Sequence, residues 1–536
     1  MENYNVFGAM VDMSRNAVMT VEAVKRFIDD LEKMGYNMLM LYTEDTYEVD
    51  GEPYFGYMRG RYTKEEMREL DAYGEAHGVE LIPCMQTLAH LNAYIRWDKT
   101  PVDIADILLV GDDKTYDLID RMFKTLSECF KTRRIHIGMD EAWMLGRGKY
   151  IDKNGGYEHA HSIIRKHLTR VVEIAKRYDY EVIMWSDMYF FPWTDGKYYI
   201  PKCEMPKEYV DALLPGVIPV YWDYYHKTED NYDNMMYNHR QLSKDFWFAG
   251  AVWTGNGYMP HHKDSIETML PALRMAEKYE VKNVFMTMWG DGGGECSRFA
   301  LLPSLYHLAQ AARGNTDEKK IKEGFYEMFG AYYDDFVLLD LPDSLCGSGQ
   351  GVHPFSNVSK YAILSDTFNG WLDYTIEKGV AHRFENAAKK LRAAERRNPK
   401  YAAIFHTAAC LASLLAVKYD LGLRVREAYQ SNDREALTRI AKVDYPKASR
   451  RLCAFIAAVE AQWLAENKPA GLDVQHIRLG AVKERLDYCR RTLVSYLNGD
   501  VASIPELCEE ILPFYAKERS FKTSKTMEIM TPSVFL

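Results

Sequence analysis

The feature that most constrains this chain is an eightfold alternation of short apolar runs and amphipathic stretches between residue 5 and about residue 313. The apolar runs are typical of buried β-strands, and the stretches between them have helical periodicity. Eight strand–helix units in about 310 residues predict a (β/α)8 TIM barrel. The predicted strands cover residues 6–12, 37–44, 79–86, 134–141, 181–188, 217–225, 247–254 and 283–291.

A doubly wound parallel sheet is the rival fold, but no glycine-rich phosphate loop follows the first predicted strand. Residues 342–351 are rich in Gly, Ser and Pro and read as a loop. Beyond residue 361 the periodicity is helical almost throughout. The sequence therefore predicts an α/β protein with a catalytic barrel over residues 1–315 and an all-α domain over residues 316–536.

Composition narrows the class of partner. A net charge of −10 argues against nucleic acid, because no basic excess is present to neutralise phosphates. No secretory signal is recognised at the N-terminus, and no uninterrupted apolar run is expected to span a membrane. The nine cysteines are scattered singly, which is typical of a reducing compartment. A cytoplasmic location without a membrane partner is the expectation.

Carboxylates and aromatic side chains recur where the predicted strands end, which is where barrels place their catalytic residues. Aromatic faces beside acidic groups suit a neutral carbohydrate, whose C–H faces stack while its hydroxyls form hydrogen bonds. The strand ends carry Glu44 and Asp45, residues 86–90, Asp140 and Glu141, Trp185 and Asp187, Tyr221 and Asp223, Trp253 to Asn256, and Trp289 and Asp291.

The adjacent pair Asp140 and Glu141 points to glycoside chemistry, with one carboxyl protonated beside an ionised neighbour. Hydrolysis of a glycoside normally needs two carboxylates on either side of the scissile bond. Neighbours in sequence diverge from nearly the same point and cannot take those two positions. The seventh strand ends without a carboxylate in residues 253–256. A nucleophile supplied by the substrate, the 2-acetamido oxygen of an N-acetylhexosamine, is therefore favoured.

The segment from His136 to Glu141, His-Ile-Gly-Met-Asp-Glu, resembles the H-x-G-x-D-E signature of glycoside hydrolase family 20, the β-N-acetylhexosaminidases. Residues 12–15 are similar to the family's D-x-S-R, and His90 falls where its third-strand loop carries a histidine. Trp463 and residues 467–480 resemble a segment of the bacterial subgroup with a C-terminal helical domain.

This resemblance implies a role for each site residue. Glu141 is the general acid and then the base that activates water, while Asp140 orients the acetamido group and stabilises the oxazolinium ion. Tyr221 donates a hydrogen bond to the acetamido oxygen. The remaining implied residues are Trp185, Trp253 and Trp289 as pocket walls, Asp223 and Asp291 on the outer hydroxyls, and His90 with Glu44 or Asp45 as a dyad that tunes Glu141.

The sequence departs from the family at Phe7, where members usually carry an arginine that holds sugar hydroxyls. Glu295 or Arg15 is the expected replacement. Among the histidines, His136 is expected to be a buried core residue, and the pair His261 and His262 is expected in a surface loop.

The sequence thus predicts an exo-acting, retaining β-N-acetylhexosaminidase that removes terminal GlcNAc or GalNAc without metal or other cofactor, and the resemblance implies a homodimer. Two alternatives stay open. One is a conventional retaining β-glycosidase with Glu141 as acid/base and Glu295 or Asp291 as nucleophile. The other is a sugar-binding barrel that has lost turnover.

Overall fold

A computed structural model describes residues 3–254, 257–346, 358–370, 373 and 376–512 of the chain. Eight parallel strands close into a barrel, and helices form the C-terminal region, so the predicted fold class is confirmed. The strands are β1 (Val6–Asp12), β2 (Met38–Tyr42), β3 (Glu80–Cys84), β4 (Arg134–His136), β5 (Glu181–Trp185), β6 (Val217–Trp222), β7 (Trp247–Ala251) and β8 (Asn283–Met288).

Each strand pairs with its neighbour in sequence, and β1 closes the barrel by pairing with β8. Met10 of β1 lies opposite Met40 of β2 on one side and Thr287 of β8 on the other. Every residue of β1 and β2 is buried, which explains why these strands read as continuous apolar runs. A short antiparallel hairpin of Val102–Ile104 and Ile107–Leu108 stands between β3 and β4 in the chain.

The barrel interior is filled by side chains that alternate along the strands, because successive residues of a strand point to opposite faces. Bulky apolar groups dominate this core, as is usual in a TIM barrel. Its members include Met10, Met40, Ile82, Ile183, Trp185, Val220, Trp247 and Phe285.

Two of the helices between the strands begin at threonine caps. Thr20 accepts a hydrogen bond from the Ala23 N–H, and Thr63 forms a reciprocal capping box with Glu66. The helices from β1 onward are Val21–Met34, Lys64–Ala76, Asn92–Ile95, Asp113–Cys129, Lys149–Asn154, Ala160–Arg177, Lys207–Val210, Glu229–Leu242, His262–Lys278 and Leu302–Ala311, with 3-10 turns at Asp187–Tyr189 and Arg298–Leu301.

The chain divides into two compact units. The first comprises Met1–Val252, Ser265–Trp289 and Ser304–Thr316, and the second comprises Trp253–Asp264, Gly290–Pro303 and Asp317–Leu536. The second unit therefore includes the segments that directly follow β7 and β8. The predicted domain boundary at residue 315 stays a prediction.

The C-terminal part of the second unit is helical wherever it has regular structure in the described residues. The predicted loop at 342–351 begins instead with a helical turn, and its residues 347–351 lie outside the described residues. The helices are Glu318–Phe329, Tyr333–Val337, Leu341–Ser344, Val358–Leu364, Ala381–Arg397, Ala402–Lys418, Leu421–Gln430, Arg434–Arg439, Tyr445–Glu466, Leu472–Asn498 and Pro505–Cys508, with 3-10 turns at Leu338–Asp340 and Pro399–Tyr401 and a π-helical turn at Ile440–Asp444.

One helical stretch of the second unit, Pro399–Gln430, is long and apolar enough to cross a membrane by length and composition. Lys400, Lys418 and Asp420 interrupt this stretch, so the expectation that no uninterrupted apolar run spans a membrane stays a prediction. Its most apolar window is 67% buried inside the protein, and a buried core helix passes the same test of length and composition.

We expect Phe285→Ala to lower the free energy of unfolding of the barrel by about 3–5 kcal/mol, because the lost ring leaves a cavity in a packed core. The Phe285 ring lies 6.1 Å from the Trp185 ring and 6.3 Å from the Trp247 ring. Urea unfolding followed by tryptophan fluorescence measures the change. The exposed Met58→Ala is the control, with an expected change within about 0.5 kcal/mol; equal losses for both variants would contradict this packing.

Candidate active site

The chain after β4 turns sharply instead of continuing as a strand. The predicted strand over 134–141, with its alternation of faces, is wrong beyond His136, because Gly138, Met139 and Glu141 have φ angles of 71°, 71° and 50°. A Cβ at position 138 would lie 2.0 Å from Gln86 Oε1. Each non-glycine residue in this left-handed region costs about 1–2 kcal/mol, and such strain is concentrated at functional sites.

This turn presents Asp140 to two polar partners. Asp140 Oδ1 accepts a hydrogen bond of 2.8 Å from Gln86 Nε2, and Asp140 Oδ2 lies 3.2 Å from His90 Nε2. Burial by itself raises the pKa of Asp140, but the charge and hydrogen bond of His90, together with Gln86, outweigh it and hold the pKa below its usual value. Asp140 is therefore ionised at neutral pH.

His90 is the cation of this pair. Its φ is 61°, and its backbone N–H donates to Asp106 Oδ2 at 3.0 Å, which helps to fix the residue in the loop after β3. Burial lowers the pKa of His90, but the Asp140 carboxylate outweighs burial and raises the pKa to about 10. His90 Nε2 also lies 3.9 Å from Glu141 Oε2, so one imidazolium faces both carboxylates.

The expected partners of His90, Glu44 and Asp45, form other ion pairs in the structure. Glu44 Oε1 lies 2.6 Å from Arg15 Nη1, and Asp45 Oδ1 lies 2.9 Å from Arg59 Nη1. Glu44 is near enough to help raise the pKa of His90. The partner within hydrogen-bonding distance of the His90 ring is Asp140, so the expected dyad with Glu44 or Asp45 is replaced.

Gln86 and Tyr42 connect these groups, and sequence reasoning did not assign either of them to the site. Gln86 Nε2 donates to Asp140 and, at 2.9 Å, to the Tyr42 hydroxyl, which donates to Glu44 Oε1 at 3.1 Å. Arg15 joins the same network through Glu44. Gln86 ends the third predicted strand, so its position was visible in the sequence although its partners were not.

Asp187 is a third carboxyl of the site that was not assigned from sequence. Its fully buried Oδ2 accepts the Glu141 backbone N–H at 2.9 Å, and its Oδ1 accepts Trp222 Nε1 at 3.4 Å. Burial, followed by repulsion from Asp140, raises the pKa of Asp187 well above its usual value. Its place two residues after Trp185, at the end of β5, was the available signal.

Glu141 occupies a different environment from its neighbour. Its side chain is 44% exposed, whereas that of Asp140 is 12% exposed. The two adjacent carboxyls are thus a buried, paired anion and a solvent-accessible group whose backbone is held by Asp187. This arrangement can combine electrostatic stabilisation with proton transfer.

The predicted aromatic walls lie at different depths. Trp185 is fully buried in the barrel core, with its ring 4.4 Å from His136 and 6.0 Å from Trp289. Trp289 is only partly buried and meets Tyr42 edge-to-face at 4.9 Å. His136 is buried, as expected, and burial lowers its pKa to about 3.

Tyr221 and Asp223 lie close together and form a hydrogen bond with each other. The Tyr221 hydroxyl donates to Asp223 Oδ2 at 2.7 Å, and both residues are fully buried. Asp223 Oδ2 also lies 2.8 Å from His226 Nδ1, and Asp223 Oδ1 accepts the Tyr225 N–H at 3.1 Å. Their roles towards a sugar stay predictions.

Three further predicted residues, Trp253, Asp291 and Glu295, belong to the second unit. The Glu295 side chain is fully buried, and its Oε1 lies 3.2 Å from both Gln475 Nε2 and Arg478 Nη1 and forms an ion pair with the buried Lys360. Trp253 forms an isolated bridge with His261. Gly255 and Asn256, at the same predicted strand end, lie outside the described residues.

His261 and His262 are buried, so their expected place in a surface loop is wrong. An acidic partner compensates for burial of the His261 ring, whose Nε2 lies 3.4 Å from Asp343 Oδ2. The backbone N–H of His262 donates to Asp340 Oδ1 at 2.9 Å. In the part of the chain that the structure describes, no group of three or more His, Cys, Asp or Glu side chains is arranged to hold a metal ion.

Two family models match the sequence. The model described as glycosyl hydrolase family 20, catalytic domain, matches residues 4–198, which include β1 to β5 with Asp140 and Glu141. The model described as Glycoside Hydrolase 20C C-terminal domain matches residues 334–526.

Solved structures to which this chain is similar include the exo-β-N-acetylglucosaminidase of Vibrio harveyi in complex with N-acetylglucosamine (15% identity, TM-score 0.48, 62% of this chain and 58% of that chain). Others are the β-N-acetylhexosaminidases of Streptomyces coelicolor A3(2) (18%, 0.43, 61% and 70%) and Streptomyces plicatus (19%, 0.45, 61% and 69%). The chain spans less than two thirds of the Vibrio harveyi protein.

The ion pair of His90 and Asp140 predicts a pH-dependent contribution to stability. Because the folded pKa of His90, about 10, lies above its unfolded value of about 6.5, the contribution is complete below pH 6.5 and is lost as the pH rises through 10. We expect His90→Asn to cost about 3 kcal/mol at pH 6 and progressively less towards pH 10.

Urea unfolding of wild type and variant between pH 6 and pH 10 measures this difference. His382→Asn, at an exposed position of the second unit, is the matched control and should change little at any pH. A His90→Asn deficit that grows with pH would refute the assigned ion pair.

Proposed function

Because the chain belongs to glycoside hydrolase family 20, we propose that it is an exo-acting β-N-acetylhexosaminidase that releases terminal β-GlcNAc or β-GalNAc with retention. The nucleophile is the 2-acetamido oxygen of the substrate, which attacks C1 and forms an oxazolinium ion. No protein carboxylate is bonded to the sugar in this reaction.

The observation that carries this proposal is the contrast between Asp140 and Glu141. A buried anion fixed by His90 and Gln86 is suited to hold the acetamido N–H and to stabilise the positive charge of the oxazolinium ion. Its orientation is set before substrate arrives, because both of its oxygens already have partners within 3.2 Å.

Glu141 supplies the proton transfers. Protonation of the leaving oxygen and later deprotonation of water both require contact with ligand and solvent, and the half-exposed Glu141 side chain allows both. Asp187 fixes the backbone from which this side chain extends. His90, 3.9 Å from Glu141 Oε2, places a positive charge beside the carboxylate that remains after proton donation.

The conventional retaining β-glycosidase is less well supported. Of its two candidate nucleophiles, Glu295 is fully buried and ion-paired with Lys360 and Arg478, so its carboxylate is poorly suited to attack a sugar. Asp291 is the remaining candidate for that alternative. An inactive sugar-binding barrel is disfavoured because both Asp140 and Glu141 are present. The homodimer and the cytoplasmic location remain part of the proposal.

Substrate preference tests the source of the nucleophile. We expect hydrolysis of an aryl β-N-acetylglucosaminide or β-N-acetylgalactosaminide, and a kcat/KM at least about 10³-fold lower for the aryl β-glucoside without the acetamido group. Initial rates on the matched aryl glycosides give the ratio. Equal kcat/KM values with and without the acetamido group would favour a protein nucleophile.

Two conservative variants separate the roles of the adjacent carboxyls. Glu141→Gln should lower kcat about 10²–10⁴-fold on glycosides with alcohol leaving groups but much less on activated aryl glycosides, which need no proton. Asp140→Asn should lower kcat about 10²–10³-fold on both types, since the acetamido group loses its anionic partner. Steady-state kinetics on both substrate types measure the pattern; near wild-type hydrolysis by Asp140→Asn would refute its role.

A further inference from the structure

An exposed indole follows the general acid by two residues. Trp143 is 52% exposed, although tryptophan is usually largely buried, and its ring packs against Phe191 with a centroid distance of 3.7 Å. The indole therefore presents an apolar aromatic face to solvent. No step of the reaction described above uses it.

The position of this indole is tied to the acid by a closed circuit of contacts. The Glu141 N–H donates to Asp187 Oδ2 at 2.9 Å, and the Phe191 N–H donates to the Asp187 carbonyl at 3.1 Å. The Phe191 ring packs against the Trp143 ring, and the backbone N–H of Trp143 donates to the Glu141 carbonyl at 2.7 Å. Asp187 therefore fixes Glu141 and the pair of rings relative to each other.

The loop that carries Trp143 is also held from its other side. The buried Asp103 accepts the backbone N–H groups of Gly146, Gly148 and Tyr150 at 2.7, 3.1 and 2.8 Å. A Cβ at position 148 would lie 2.2 Å from the Asp103 carbonyl oxygen, so glycine permits this close approach. The indole is thus presented by a loop whose backbone is held by three hydrogen bonds to Asp103, which lowers the entropy cost of binding.

We propose that Trp143, supported by Phe191, is the platform on which the sugar ring of the leaving group stacks. The inference rests on the proposed function, because it requires Glu141 to protonate the leaving oxygen. The ring joined to that oxygen must then lie beside Glu141, where Trp143 is the exposed aromatic nearest in sequence. The apolar C–H face of a hexopyranose fits an indole face, so the natural substrate carries a sugar as its aglycone.

The test compares a β-linked N-acetylglucosamine disaccharide with methyl β-N-acetylglucosaminide. Both substrates release an alcohol, but only the disaccharide releases a sugar ring that can stack. Trp143→Ala should lower kcat/KM for the disaccharide about tenfold and leave the methyl glycoside within about twofold. Trp143→Phe should recover most of the loss, because an aromatic face is restored. Tyr326→Ala, which removes an exposed ring on helix Glu318–Phe329, is the control and should change neither value.

The outcomes are distinguishable. If wild type hydrolyses neither substrate, the proposed function fails and the platform fails with it. If wild type is active and Trp143→Ala loses activity equally on both substrates, Trp143 acts only through the position of Glu141, and the platform is refuted. An unchanged kcat/KM for the disaccharide refutes it as well.

Discussion

Asp140 faces His90 across 3.2 Å at the mouth of the barrel, where its side chain is only 12% exposed. A buried carboxylate without a partner costs several kcal/mol, so the ionised Asp140 exists there only because His90 and Gln86 compensate for lost water. The other site groups are arranged around this charge. Burial and repulsion from this charge raise the pKa of Asp187, Tyr42 accepts from the Gln86 amide that binds Asp140, and His90 places its positive charge near Glu141 as well.

Asp187 fixes the positions of the groups around this charge. Its carboxyl holds the backbone of Glu141, and its carbonyl holds Phe191, on which Trp143 packs. The proposed proton donor and the surface proposed for the leaving sugar are thereby both held by Asp187. Gly138, Met139 and Glu141 have left-handed backbone conformations, and the contacts around the site hold the strain of this turn.

The fold was predictable because strands buried on both faces leave continuous apolar runs, and eight such runs alternate with helices. The strand ends also predicted that Asp140 and His90 would lie at the same end of the barrel. The turn after His136 was not predictable, since it depends on the Gln86 side chain of another strand. The partners of Glu44 and His261 were not predictable for the same reason. Glu44 pairs with Arg15, and the buried His261 lies beside Asp343, which comes from a distant segment of the chain. Charge partners that are far apart in sequence leave no periodic signal.

In the reaction that we propose, the sugar's own amide, and no protein carboxylate, forms the first bond to C1. Intact-protein mass spectrometry after an acid quench, during turnover of an activated aryl N-acetylhexosaminide, distinguishes these two nucleophiles. We expect an unmodified chain mass at every time point, for wild type and for Glu141→Gln. A mass increase by one sugar unit, mapped to an Asp or Glu side chain, would contradict it.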